Sequence, residues 1–174
     1  MPVVNSGSHI HGAKVWSFGD FIDTDVLAPG LYMKSSLKVM ASHCLETIDP
    51  DFTSKVRAGD VICAGRNFGM GSSREQAAQS LNYHGVAAVL AVSFGGIFYR
   101  NAINHGLMAL VCADAHLIPA GNAVSINPVE GIVRDLDNDT KYTCDPMPAH
   151  LLKMLSDGGL VSHLEKRFAK GTKA

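Results

Sequence analysis

The chain has 174 residues, of which 47% are hydrophobic, and a formal net charge of −1. A chain of this length buries roughly 70% of its unfolded surface in one domain, so neither a metal nor a disulfide is needed to keep it folded. The near-neutral balance without a basic run excludes the electrostatic footprint of a nucleic-acid binder, and no apolar run reaches the ~18 residues of a membrane span.

In chain order, residues 1–12 are polar and read as a loose segment ahead of a single domain over 13–170. They lack a basic stretch leading into an apolar core, so no signal peptide is read there, and a cytoplasmic location is the expectation. Lys14–Phe18 alternates as a strand does. Gly19–Gly30 is turn-rich, and irregular chain is expected to about Ser42, a length that in a small domain marks a functional loop. Asp60–Ala64 is a short buried strand, followed by a glycine-rich loop over 65–75 and helical character over Gln76–Tyr83. Val86–Val92 is a second apolar strand, Ile97–Asn104 a second helix and Leu107–Cys112 a third apolar strand. This alternation predicts a parallel α/β arrangement. Strands around 123–127, 131–135 and 140–144 follow, and 147–168 reads as one or two helices broken at Gly158-Gly159.

The four cysteines, Cys44, Cys63, Cys112 and Cys144, are widely spaced and form no C-x-x-C pair. Two of them sit in apolar runs, so they read as buried reduced thiols, and this chain offers no iron–sulfur or zinc site of its own. His9 and His11 form an H-x-H pair in the polar terminal segment and read as a solvated tail. His43-Cys44 reads as structural, because neighbours in sequence rarely form a catalytic dyad. His105, just before Gly106, suits the end of a helix. Phe94, Phe98 and Tyr99 read as core or interface aromatics.

The richest segment is Gly69-Met70-Gly71-Ser72-Ser73-Arg74-Glu75, between a strand and a helix. It is not a Walker loop, which needs Lys before its Ser/Thr. It is not a dinucleotide fingerprint either, since Arg74 stands where the third glycine belongs. Ser72-x-x-Glu75 matches a capping box that merely starts a helix, and by pattern alone that is the better reading. Arg74 argues against it. A cation in the first helical turn opposes the helix dipole by roughly 0.3–1 kcal/mol. A bound carboxylate removes the conflict, and an arginine fork holds carboxylates well. A serine beside a bound hydroxy acid can move a proton only if amides and the guanidinium stabilise its alkoxide.

At these residues the sequence resembles the small-subunit family of 3-isopropylmalate dehydratase, which corresponds to the swivelling fourth domain of aconitase. The likeness runs through three ordered segments: Gly19–Gly30 with its Asp23-Thr24-Asp25 triplet, the loop Gly65–Glu75, and Ala91–Leu107. The resemblance implies a swivelling β/β/α fold. It implies an iron–sulfur large subunit as partner, carrying the [4Fe-4S] cluster, with no cofactor on this chain. It further implies a hydro-lyase that isomerises 2- and 3-isopropylmalate through a cis-enoate in leucine biosynthesis. An apolar surface meant for the partner would seek cover, so self-association of the isolated small subunit is also expected. By the same resemblance Ser72 is the base, Ser73 and Arg74 bind a substrate carboxylate, and Asp25 lies at the active site and orients a group of the partner. Tyr32–Ser36 resembles the loop that recognises the side group at the substrate's third carbon, with Lys34 placed to meet a carboxylate. Many relatives have Cys where Met70 stands and His where Gln76 stands. These departures leave the Ser-Ser-Arg triplet intact and keep open the related homoaconitase and 2,3-dimethylmalate dehydratase activities. A non-catalytic carboxylate- or RNA-binding module is the alternative outside catalysis, and the missing basic stripe speaks against RNA.

Overall fold

The computed structural model describes residues 9–171. The apolar runs form four parallel strands: β1 (Ile10–Ser17), β2 (Val61–Ala64), β3 (Ala88–Ala91) and β4 (Met108–Val111). β1 pairs with β2, β2 with β3 and β3 with β4, all in parallel. Two helices make the crossovers, α4 (Glu75–Tyr83) between β2 and β3 and α5 (Gly96–Asn104) between β3 and β4.

β1 begins at Ile10, four residues before the start read from the alternation. Ile10 is buried and pairs with Ile126, so residues 10–12 belong to the sheet rather than to a loose segment. A register shift between Ile10 and Ala13, with His11 and Gly12 both exposed, breaks the period of two that marks a strand. The remainder of the segment expected to be loose, residues 1–8, lies outside the described residues. The stretch expected to be irregular also differs. It carries α1 (Thr24–Leu27), a 3₁₀ turn (Gly30–Tyr32) and α2 (Leu37–Ser42), and α3 (Phe52–Lys55) follows. These helices are too short to show a 3.6-residue period, yet each buries apolar side chains: Leu27, Met40 and Phe52.

The C-terminal third pairs antiparallel: β5 (Ala123–Asn127), β6 (Ile132–Asp135) and β7 (Lys141–Thr143). β5 also pairs antiparallel with β1, giving one seven-stranded sheet in the order β4-β3-β2-β1-β5-β6-β7. The sheet curls. β4 and β7 are its opposite edges, yet the residues just beyond them, Cys112 and Cys144, meet in an antiparallel bridge. Two helices end the chain, α6 (Ala149–Ser156) and α7 (Leu160–Gly171), with Gly158 and Gly159 at the break between them.

Strands β2 and β3 are buried on both faces, as expected of a covered parallel sheet. Alternate residues feed two cores. Ile62 and Ala64 face the helical layer with Leu81, Phe52 and Phe98. Val61 and Cys63 face the antiparallel layer with Val124, Ile126 and Val133. Asp60 is paired where it is taken inside: it accepts from Trp16 Nε1 and from the Arg57 N–H, both at 2.9 Å. Asp157, at the end of α6, accepts from His163 Nδ1 (2.7 Å), Lys166 Nζ (3.0 Å) and Lys153 Nζ (3.4 Å). The pairing with His163, then with the lysines, holds its carboxyl far below the ordinary range and fastens α7 to α6.

Candidate active site

The glycine loop lies where β2 runs into α4, at the carboxyl ends of the parallel strands, where open α/β sheets offer a ligand crevice. Its floor is aromatic. Phe68, Phe94 and Phe98 pack together, with ring centroids 5.3 Å apart for Phe68–Phe98 and 6.1 Å for Phe68–Phe94. Gly69 has φ +75°, and a Cβ there would run into the Phe98 ring, so the backbone reaches the floor only as glycine. Gly71 has φ +119°, and a Cβ would stand 2.8 Å from Thr24 Oγ1.

That second approach ties the loop to α1. Thr24 is buried. Its N–H donates to the Met70 carbonyl (2.9 Å), and its Oγ1 accepts from the Ser72 N–H (3.0 Å). One turn on, the Gly69 N–H donates to the Ile22 carbonyl (2.6 Å). Three hydrogen bonds therefore lay the 69–72 segment against 22–24. Asp23 caps α1 by accepting from the Asp25 and Val26 N–H groups, each at 2.9 Å.

The capping box is not formed. The N-cap of α4 is Arg74, with no side-chain cap. The Ser72 N–H goes to Thr24, and Glu75 turns to His105 Nε2 at 3.2 Å instead of reaching back. Ser72 and Ser73 are exposed, and among the described residues neither hydroxyl has a hydrogen-bond partner. They are left beside the uncapped amides of a helix start, a setting that favours an anion.

Arg74 turns away from the helix axis. Its Nη1 donates to Asp25 Oδ1 at 2.6 Å and to the Ala28 carbonyl at 3.0 Å. Asp25 Oδ1 also accepts from the Gly30 N–H at 2.9 Å. The Arg74 hydrogen bond, then that of Gly30, holds the Asp25 carboxyl below its ordinary value. The conflict between Arg74 and the helix dipole is thus met within the chain: Arg74 stands one residue ahead of the helix, against a carboxylate. Arg74 is the more sheltered partner, its side chain 21% exposed against 67% for Asp25.

The structure brings Asp25, Ser72, Ser73 and Arg74 together. Lys34 makes no hydrogen bond or ion pair with them among the described residues; it is exposed, two residues beyond the 3₁₀ turn that opens at Gly30. That turn is itself moored, since Tyr32 stacks on His43 with centroids 3.7 Å apart and His43 Nδ1 pairs with Glu46 at 2.6 Å. His43 and Cys44 are structural, as read, with Cys44 fully buried. His105 ends α5, also as read. Sequence reasoning missed Thr24, the Ala28 carbonyl and the Gly30 N–H. Their signal was the Asp23-Thr24-Asp25 triplet, but the contact that gives Thr24 its role spans 48 residues.

Cys44, Cys63, Cys112 and Cys144 are all buried, and burial pushes the Cys44 and Cys63 thiols up. Among the described residues no group of three or more His, Cys, Asp or Glu side chains is placed to hold a metal ion.

Residues 26–115, just over half the chain, match the family model described as the aconitase C-terminal domain. The chain is 49% identical over 162 residues to the methanogen homoaconitase small subunit of Methanothermobacter thermautotrophicus, covering 91% of this chain and 92% of that protein. It is 46% identical over 155 residues to 3-isopropylmalate dehydratase small subunit 2 of Archaeoglobus fulgidus, covering 88% and 93%. The crystal structure of 3-isopropylmalate dehydratase from Methanocaldococcus jannaschii superposes with a TM-score of 0.88 at 40% identity, over 95% of this chain and 98% of that one. On likenesses that run nearly end to end in sequence and in fold, the chain belongs to the aconitase C-terminal domain family, among the small subunits of the 3-isopropylmalate dehydratase type.

Proposed function

We propose that this chain is the small subunit of a hydro-lyase that isomerises 2- and 3-isopropylmalate through a cis-enoate, as a step in leucine biosynthesis. The observation that carries the reading is the Ser72-Ser73-Arg74 turn: two unpartnered hydroxyls at an uncapped helix start, beside a guanidinium already set in place by Asp25. The cysteines here are spent in the cores, so the reading gives the [4Fe-4S] cluster to the large subunit. When bound there, the cluster supplies a Lewis acid for the leaving hydroxyl.

The chain's own residues do the remaining work. Arg74, through the donors that Asp25 leaves available, and the Ser73 hydroxyl hold a carboxylate of the hydroxy acid. That places the carbon next to the carboxylate over Ser72. Ser72 takes the proton from that carbon, and the α4 amides with Arg74 stabilise its alkoxide in the manner of an oxyanion hole. Thr24, gripping the Ser72 N–H, fixes where that oxygen points. Asp25 keeps Arg74 from swinging out and ties it to the turn that leads to Lys34.

A second reading is homoaconitase-type specificity. It is favoured by Lys34, a cation in the segment read as meeting the side group, and by the 49% likeness to a homoaconitase small subunit. A cation suits a carboxylate-bearing side group better than an isopropyl one.

The test is anaerobic reconstitution with the cognate large subunit, following enoate absorbance with 3-isopropylmalate, homoisocitrate, isocitrate and 2,3-dimethylmalate. Turnover of isopropylmalate that is lost in Ser72→Ala is the expected result. Preference for homoisocitrate that collapses in Lys34→Ala would select the second reading. A well-formed complex inert on all four acids would refute both.

A further inference from the structure

We infer that Cys112 and Cys144 are a latent disulfide pair, a covalent closure for the curled sheet. The two residues lie directly beyond β4 and β7, the opposite edges of the seven-stranded order, and they face each other in an antiparallel bridge. Their own amides point elsewhere: the Cys112 N–H donates to the Ala91 carbonyl (2.9 Å) and the Cys144 N–H to that of Gly131 (2.8 Å). The bond that flanks them runs from the Asp145 N–H to the Val111 carbonyl (2.8 Å). This is the pattern of a narrow, non-hydrogen-bonded antiparallel pair, whose Cα atoms lie about 4.5 Å apart with side chains close. That separation is inside the roughly 4.4–6.8 Å window a disulfide accepts.

The side chains already interact. The neighbouring Cys144 thiol draws the Cys112 thiol below its ordinary value, while the Cys144 thiol rises. Cys112 is therefore the attacking sulfur. The proposed active site uses neither residue, and the large hydrophobic contacts of the antiparallel core do not require a thiol at either place. Both groups are buried, and the adjoining Asp145-Pro146 corner is exposed, so opening of that corner sets the pace at which an oxidant reaches them.

The oxidant is a hydroperoxide. The Cys112 thiolate attacks one peroxide oxygen; an S–O bond forms, the O–O bond breaks, and hydroxide leaves. That hydroxide takes up the proton Cys112 gave up, making the first water. The Cys144 sulfur then attacks the Cys112 sulfenic acid; the S–S bond forms, the S–O bond breaks, and the sulfenic hydroxyl leaves with the Cys144 thiol proton as the second water. Two thiols lose two electrons and the peroxide gains two.

The experiment treats the reduced full chain with hydrogen peroxide. Thiols are counted in denaturant and digests are mapped by mass spectrometry without reductant. The expected result is a fall from four thiols to two, one cross-linked peptide pair carrying Cys112 and Cys144, and full reversal by dithiothreitol. Because the closed loop spans 112–144, the oxidised chain is expected to melt higher by on the order of 10 °C. Cys63→Ser should keep the cross-link and Cys144→Ser should lose it. The mapping of the unaltered chain decides the matter if a variant fails to fold. A Cys63–Cys112 link, stable sulfinic acids without a cross-link, or four thiols remaining after corner-opening conditions in mild urea would each overturn the assignment.

Discussion

Thr24→Val tests whether the Ser72 turn is held from outside its own loop. The substitution preserves shape in a buried site and removes only the hydroxyl that accepts the Ser72 N–H at 3.0 Å. An intramolecular hydrogen bond of this kind contributes about 0.5–1.5 kcal/mol. Ser72 is exposed, so water can take the vacated place, and the loss should sit near the lower end of that range. For a chain of 174 residues this corresponds to a melting shift of roughly 1–4 °C. The kinetic effect should be larger than the thermodynamic one. A displacement near 1 Å of a reacting group can cost on the order of 10²-fold, so kcat in the reconstituted enzyme should fall by about 10–100-fold with KM nearly unchanged. Thr24→Ser, which keeps the acceptor, should recover most of the rate. Unaltered kcat in Thr24→Val, in a protein that melts only slightly lower, would refute the claim that Thr24 positions Ser72.

The remaining expectations concern the surroundings of the site and the C-terminal helix. Gly69→Ala should destabilise by more than about 1 kcal/mol in urea unfolding, since φ is +75° and the new methyl meets the Phe98 ring. Asp25 has a depressed folded pKa, so its contribution is present above the ordinary carboxylate value of about 3.9 and is lost as pH falls through the folded value. The melting difference between the unaltered chain and Asp25→Asn should therefore be constant from pH 5 to 7 and shrink below about pH 4, and it should be small because the pair is exposed. Asp157→Asn should raise amide exchange along Leu160–Gly171 while leaving the β2–β3 amides protected, because the carboxylate gathers His163, Lys153 and Lys166.

Much of the architecture is written in the sequence in plain periodicities. Val61–Ala64, Ala88–Ala91 and Met108–Val111 are apolar throughout because both faces are covered, and the glycine-flanked helices between them are long enough to show a face. The antiparallel strands announce themselves by turn residues at Asn127–Gly131 and Asp137–Thr140. What escaped is what depends on distant contacts. Ile10 belongs to a strand only because a bulge lets it rejoin the sheet against Ile126. The helices α1 and α3 have four residues each, too few for local propensity to speak, and they exist because Leu27 and Phe52 find the core. At the site, the sequence reads Arg74 as a cation in the first helical turn, whereas it stands at the N-cap, one residue ahead of the helix. Its partner could not be read from its neighbours, since Asp25 is 49 residues away. The Ser72-x-x-Glu75 pattern misled for the same reason: Thr24 and His105 each outcompeted the local partner.

The placement of β1 at the middle of the sheet governs how this chain can be made. One flank of β1 pairs with β2, available once residue 64 has been synthesised, but the other waits for β5, where Ala13 meets Val124, 111 positions later. At roughly 5–20 residues per second, that interval lasts on the order of 5–20 s. Throughout it the nascent chain presents an unpaired apolar strand edge, the kind of surface that recruits other chains. Non-local pairing of this order also slows refolding from denaturant. A ribosome-released fragment ending before Ala123 should therefore aggregate, whereas the same fragment supplied with a β5-like peptide should stay in solution.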